Sequence, residues 1–185
     1  MPVLQTGLTK SAAADYTIDQ SLRFEDGDSA YLSRTPGSAG NKKTWTWSGW
    51  VKRGNIGSGT AGSDAELLLF EQYNSSDDWS RLLIKATDAI GLQSRVANVN
   101  KNILFTTQLL RDPAAWYHIV VVFDTTLATA DDRQKMYING SQVTDFSNRS
   151  NPALNYDGWI NSTEIAYVGK SIDVSGEGYL AEVHF

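Results

Sequence analysis

At 185 residues, 41% of them hydrophobic and 11% aromatic, the chain has room for one sizeable core and is short for two, and the composition excludes a disordered protein. A net charge of −5 with dispersed lysines and arginines argues against a nucleic-acid groove, because phosphate binding needs clustered cations. The lack of cysteine excludes disulfides, thiol nucleophiles and thiolate metal sites while leaving the compartment open. Residues Met1 to Lys10 show no charged leader ahead of an apolar stretch, and no run approaches a membrane span. The expectation is therefore no membrane insertion, and synthesis in a cytoplasm without a signal peptide.

Residues 1–20 are polar, without sustained periodicity, and read as an extended N-terminal arm. A first strand is predicted over Ser21 to Asp26, turned by Gly27-Asp28 into Ala30 to Ser33, with a loop at Pro36, Gly37 and Gly40. Thr44 to Arg53 alternates, with Trp45, Trp47, Gly49 and Val51 on one face and Trp50 among polar residues on the other. Gly57-Ser58-Gly59-Thr60-Ala61-Gly62 matches G-x-G-x-x-G. No βαβ alternation follows, so a Gly/Ser hairpin loop is the better reading than a dinucleotide site. Strands follow at Leu67 to Gln72, Trp79 to Ala86, Ile90 to Val96 and Ile103 to Thr106, and Asp112-Pro113 predicts a single helical turn.

Trp116 to Asp124 is the strongest strand in the chain. Trp116, His118, Val120 and Val122 share one face, and Tyr117, Ile119, Val121 and Phe123 the other. Both faces are largely apolar, which predicts a central strand covered on both sides. Two more strands lie in Lys135 to Val143, meeting at Asn139-Gly140, a dipeptide suited to the positive φ values of a tight hairpin. A long polar loop is expected over Asp145 to Ser162, then strands Glu164 to Gly169 and Tyr179 to Phe185. The spacing predicts an all-β, antiparallel β-sandwich over 21–185.

These segments resemble, in order, a laminin-G-like, concanavalin A-like jelly roll. Trp45 to Lys52 resembles the early strand of that family, Trp116 to Val120 and Tyr137 to Gly140 its paired signature, and Tyr167 to Gly169 with Gly178 to Val183 its closing strands. A narrower resemblance is to this domain in tail-fibre-like structural proteins of tailed bacteriophages. Ser21 to Phe24, Tyr31 to Arg34, Trp50 to Gly54, Arg111 to His118 and Tyr179 to Phe185 carry it. In such proteins the chain continues past the last strand, so the sequence is expected to be the front of a longer fibre.

Because the superfamily includes glycoside hydrolases, the resemblance raises a catalytic carboxylate pair, for which Glu66 with Glu71 is the nearest candidate. Glu66 and Glu71, five residues apart, fall on opposite faces of a regular strand, whereas hydrolysis needs both to face one bond. Asp77-Asp78 and Asp131-Asp132 sit in turns as solvated residues, and His118 and His184 lie inside strands, away from any catalytic motif. No enzyme and no catalytic residue is expected. The resemblance implies possible calcium, for which Asp26, Asp28 and Glu182 are weak candidates, and no other cofactor.

Sugar binding needs an exposed aromatic plane beside amides or carboxylates. Asn155-Tyr156-Asp157-Gly158-Trp159 and Trp79 beside Asp77 and Asp78 have that chemistry, with Trp50 a weaker third. The Asn-x-Ser/Thr triplets at Asn74, Asn148 and Asn161 matter only on a eukaryotic secretory route. The leading expectation is a non-enzymatic phage virion protein. It would be the virion-attachment domain of a tail fibre involved in host adsorption, bound to other virion proteins through the arm and assembled as a homotrimer. The alternative is a carbohydrate-binding adhesin module for host surface glycan; a glycoside hydrolase comes third.

Overall fold

A computed structural model of the chain describes residues 17–25, 27–56, 66–170 and 176–185. Along these run β1 (Leu22–Phe24), β2 (Leu32–Arg34), β3 (Thr44–Arg53), β4 (Leu67–Ser75), β5 (Asp78–Ile84), β6 (Ala89–Val96) and β7 (Val99–Leu109). They are followed by β8 (Trp116–Asp124), a 3-10 turn (Ala130–Asp132), β9 (Gln134–Ile138), β10 (Ser141–Gln142), β11 (Phe146–Ser150), β12 (Ile165–Val168) and β13 (Gly178–His184). The strands form two antiparallel sheets, one ordered β1-β13-β3-β8-β9-β10 and the other β11-β7-β6-β5-β4-β12-β2. The architecture is the expected all-β sandwich.

Alternation builds the core. From the six-stranded sheet, Trp47, Val51, Ile119, Val121, Phe123, Met136 and Leu180 face Leu67, Leu69, Leu82, Ile84, Ile90, Leu92 and Leu104 of the seven-stranded sheet. Each such fully buried side chain contributes about 1.5–3 kcal/mol. Trp45 stacks on Phe123 with ring centroids 5.0 Å apart, and Phe70 on Phe185 at 5.3 Å. Arg53, wholly buried, ties the sheets together: Nη1 donates to Asp88 Oδ1 at 3.2 Å and to the Leu110 carbonyl at 3.2 Å. Its removal from water lowers its pKa, which the Asp88 carboxylate counteracts.

Several local expectations change. Gly27 and Asp28 do turn the chain, but β1 and β2 enter different sheets instead of forming a hairpin. Asp112-Pro113 makes a turn, not a helical one: Asp112 Oδ1 accepts the Ala114 amide at 2.8 Å and its carbonyl the Ala115 amide at 3.3 Å. The long loop contains β11, which pairs with β7. Its sequence, Phe-Ser-Asn-Arg-Ser, has no apolar face because it is an edge strand, where polar residues are favoured.

Strand β8 is central, but only Ile119, Val121 and Phe123 are buried, while Trp116, His118, Val120 and Val122 stay half-exposed. The second apolar face is thus only partly covered. The hairpin forms as expected, with φ of 51° at Asn139 and 80° at Gly140. Residues 1–16 of the predicted arm and the Gly57–Gly62 motif lie outside the described residues.

Candidate functional site

Strand β4 bulges at Leu69, which has no partner on β5: Leu68 is opposite Leu83 and Phe70 opposite Leu82. This bulge gives Leu69 and Phe70 to the interior in succession and turns Glu71 outward. Two cross-strand rows then cover the outward face of the seven-stranded sheet. The first runs Ser33, Tyr167, Glu71, Arg81, Gln93 and Ile103, and the second Ile165, Tyr73, Trp79 and Arg95.

Glu71 is wholly buried despite facing outward, and its carboxylate accepts the Nε–H of Arg81. The Arg81 guanidinium also covers the Trp79 ring at 4.3 Å from the centroid. Beside this pair, Tyr31 meets Tyr167 edge-on at 6.0 Å, and the Lys170 ammonium lies 3.9 Å from the Tyr31 ring centroid. The Tyr167 phenol is pushed up by desolvation, with smaller contributions from Tyr31 and Glu71, and so stays neutral as a hydrogen-bonding group. Gln93 Nε2 donates to Asn100 Oδ1 at 2.9 Å, while Arg95 Nε is buried without a hydrogen-bond partner. The face therefore combines aromatic surface, amides and three cationic groups, Arg81, Arg95 and Lys170, around one buried carboxylate. Aromatic rings take the apolar faces of sugars, and planar guanidinium groups take hydroxyls or carboxylates.

The sequence-flagged residues fall in two places. Trp79 belongs to this face but is only 7% exposed beneath Arg81, its Nε1 donating to the Ser76 carbonyl at 3.2 Å, so it offers no open ring plane. The Asn155-to-Trp159 segment is fastened to the loop after β8: the Asn155 amide donates to Thr125 O at 2.8 Å, and Thr125 Oγ1 to Tyr156 O at 2.9 Å. Asn155 and Asp157 are exposed, Tyr156 and Trp159 half-buried. The Tyr156 hydroxyl is buried without a partner, and burial first, then the charges of Asp157 and Asp78, push its pKa up to about 12. The influence of Asp78 relates this loop to the beginning of the strand that carries Trp79. Tyr31, Tyr73, Arg81, Gln93, Arg95, Tyr167 and Lys170 were not anticipated. Alternation along each strand is visible in sequence, but the register that aligns the strands is not.

The carboxylate pair also needs correction. Because of the Leu69 bulge, the odd spacing of Glu66 and Glu71 does not set them on opposite faces. Glu71 is opposite Arg81, and the charge of Glu66 acts on Lys85, four residues further on. At about 3.3 Å per residue, that is about 13 Å along the sheet, beyond the roughly 5–9.5 Å used in glycoside hydrolysis. Of the calcium candidates, Asp26 lies outside the described residues, and Asp28 and Glu182 are exposed. Among the described residues no three His, Asp or Glu side chains converge to hold a metal. Trp50, His118 and His184 lie on the outward face of the other sheet. Concavities of about 420 and 440 Å³ lie along the edges, where β1 and β2 leave the sheets apart; Leu32 and Val168 line both.

In structure, the chain is similar to the CBM40 module of the Ruminococcus gnavus IT-sialidase bound to α2,3-sialyllactose, with TM-score 0.52, 12% identity, and 80% of this chain and 77% of that one covered. It is similar to a mutant NanB sialidase from Streptococcus pneumoniae, with TM-score 0.57 and 18% identity over 88% of this chain but 25% of that one. The botulinum neurotoxin serotype D binding domain gives 0.53 and 13% identity, with 88% and 38% covered. Identities this low show the fold alone. No protein of curated function matches the sequence. A family profile, laminin G-like and described as the concanavalin A-like lectin/glucanases superfamily, matches residues 26–185, and the chain belongs to that family.

Proposed function

We propose that this domain is a non-catalytic carbohydrate-binding module whose ligand lies across the outward face of the seven-stranded sheet. The observation that carries the reading is the cross-strand row Tyr167, Glu71, Arg81 and Gln93, held by the Glu71–Arg81 ion pair and flanked by Tyr31 and Tyr73. A sugar stacks on Tyr31 and Tyr73 while Arg81, Arg95 and Gln93 take its polar substituents. Non-catalytic modules on this fold, such as the sialyllactose-bound CBM40 domain, support the reading, as does the separation of Glu66 from Glu71. A glycan array with the full chain tests it. Tyr31→Ala and Gln93→Ala are expected to weaken the bound glycan about ten-fold at unchanged stability; an array without binding, or variants that bind like the parent, overturns it.

The setting we propose is a virion. The segments that resemble tail-fibre proteins, Ser21 to Phe24 and Tyr179 to Phe185, supply β1 and β13, which pair with each other. A glycan-binding domain on a fibre would serve host adsorption, with the N-terminal arm attaching it to other virion proteins in a trimer. Deleting residues 1–20 should abolish incorporation into particles, and normal incorporation refutes that part of the reading.

A further inference from the structure

The two cross-strand rows that face outward from the seven-stranded sheet carry two arginines and a single carboxylate, Glu71. Arg81 lies opposite Gln93, and Arg95, two residues further along β6, lies opposite Trp79. The two arginines are therefore diagonal neighbours on adjacent strands, with side chains rooted about 7–8 Å apart. Arg81 spends its Nε–H on Glu71 and lays its guanidinium over the Trp79 ring, so both arginines border the same indole.

The charges do not balance there. Glu71 is wholly buried beside Arg81, and among the described residues Arg95 forms no ion pair. Its Nε is buried and donates to no acceptor, although the side chain as a whole is half-exposed. The acids that precede Trp79 are turned elsewhere. Asp78 Oδ1 accepts the Ala97 amide at 2.7 Å and Oδ2 the Ser75 hydroxyl at 3.4 Å, while Asp77 is exposed in the turn before β5. A desolvated donor without an acceptor costs free energy that an incoming oxyanion recovers, and two neighbouring guanidinium forks repel each other until an anion joins them.

We infer that the sugar taken by this face bears a single negative substituent, a carboxylate or a sulfate ester, seated between Arg81 and Arg95. The inference rests on the module reading above and adds to it the class of ligand: Tyr31 and Tyr73 hold the ring, and Arg95 selects its charge. One monoanionic group matches the local excess of two guanidinium groups over one carboxylate. The chain as a whole carries −5, which disfavours a polyanion such as nucleic acid.

A glycan array probed with the full chain tests the inference, printed with uronate-bearing and sulfated oligosaccharides beside their methyl esters and unsulfated parents. Acidic glycans are expected to bind about ten-fold or more tighter than their uncharged counterparts, and the uronate and sulfate arms tell which anion is taken. Arg95→Gln should bring that ratio near one. Arg95→Lys, which keeps the charge and loses the fork, should lower it part of the way and keeps the test sound if Arg95→Gln fails to fold; an unfolding midpoint checks each variant. Equal binding of charged and uncharged glycans, a ratio untouched by Arg95→Gln, or tighter binding of oligo-dT than of any acidic glycan overturns the inference. Neutral glycans bound without preference and weakened by Tyr31→Ala would leave the module reading standing and remove only this one, whereas a blank array overturns both.

Discussion

The carboxylate of Glu71, with no solvent exposure, accepts the Arg81 Nε–H, and the same guanidinium covers the Trp79 ring. A buried charge that loses its partner is strongly destabilising, whereas loss of both members costs less. Arg81→Met should therefore lower stability by about 3 kcal/mol, and adding Glu71→Gln should recover part of that loss. Urea unfolding of the two single variants and the double variant measures the coupling. Additive costs would show that the ion pair contributes nothing.

Two glycines separate packing from backbone conformation. A Cβ on Gly91 would lie 2.1 Å from Phe105 Cδ1 and 2.4 Å from the Leu104 carbonyl oxygen. Gly91→Ala must push β6 and β7 apart and should cost about 3 kcal/mol. A Cβ on Gly140 meets nothing within 4 Å, but φ is 80° there. Gly140→Ala should cost only about 1–2 kcal/mol, from the left-handed conformation. Thermal unfolding of both variants checks the order, and a larger loss at Gly140 would contradict it.

Tyr156 makes a prediction about pH. Its folded pKa of about 12 lies above the ordinary value of 10.0, so the folded state holds the phenolic proton more tightly than the unfolded state does. The associated stability is complete below pH 10 and is lost as pH rises through about 12. Tyr156→Phe should remove this part of the alkaline loss. Because the hydroxyl is buried without a hydrogen bond, the variant should also match or exceed the parent in stability at pH 7. Denaturant midpoints at pH 7 and pH 11 read both effects. A variant less stable than the parent at pH 7 would point to a partner for the hydroxyl.

Local patterns were legible wherever one strand carried the whole signal. The burial of Trp45 opposite Phe123 and of Trp47 opposite Val121 follows from alternation, and Asn139-Gly140 declared its own turn. Strand β11 was illegible because a polar edge strand is held by its backbone and by bonds such as those from Ser147 Oγ to the Phe105 and Thr106 carbonyls, at 3.2 and 3.1 Å. The seven-stranded face was illegible for another reason. Glu71, Arg81, Gln93 and Tyr167 come from four strands and Tyr31 from the residue just before β2, and only the pairing register collects them. Chemistry at single positions, such as Trp79 beside Asp78, therefore located part of the face without its composition.

Leu69 shows how far that dependence goes. The chain spends one unpaired residue there, and from that point the sides of β4 are exchanged: Phe70 joins the interior and Glu71 the exterior. If Leu69 were instead paired with Leu82, in plain alternation from Leu68 and Leu83, Phe70 would fall opposite Arg81 and turn to solvent, and Glu71 would fall opposite Ser80 and turn inward. The surface we assign to sugar would then disappear although each of its residues remained in the sequence. Its existence depends on which residue the strand leaves unpaired as much as on the side chains it displays.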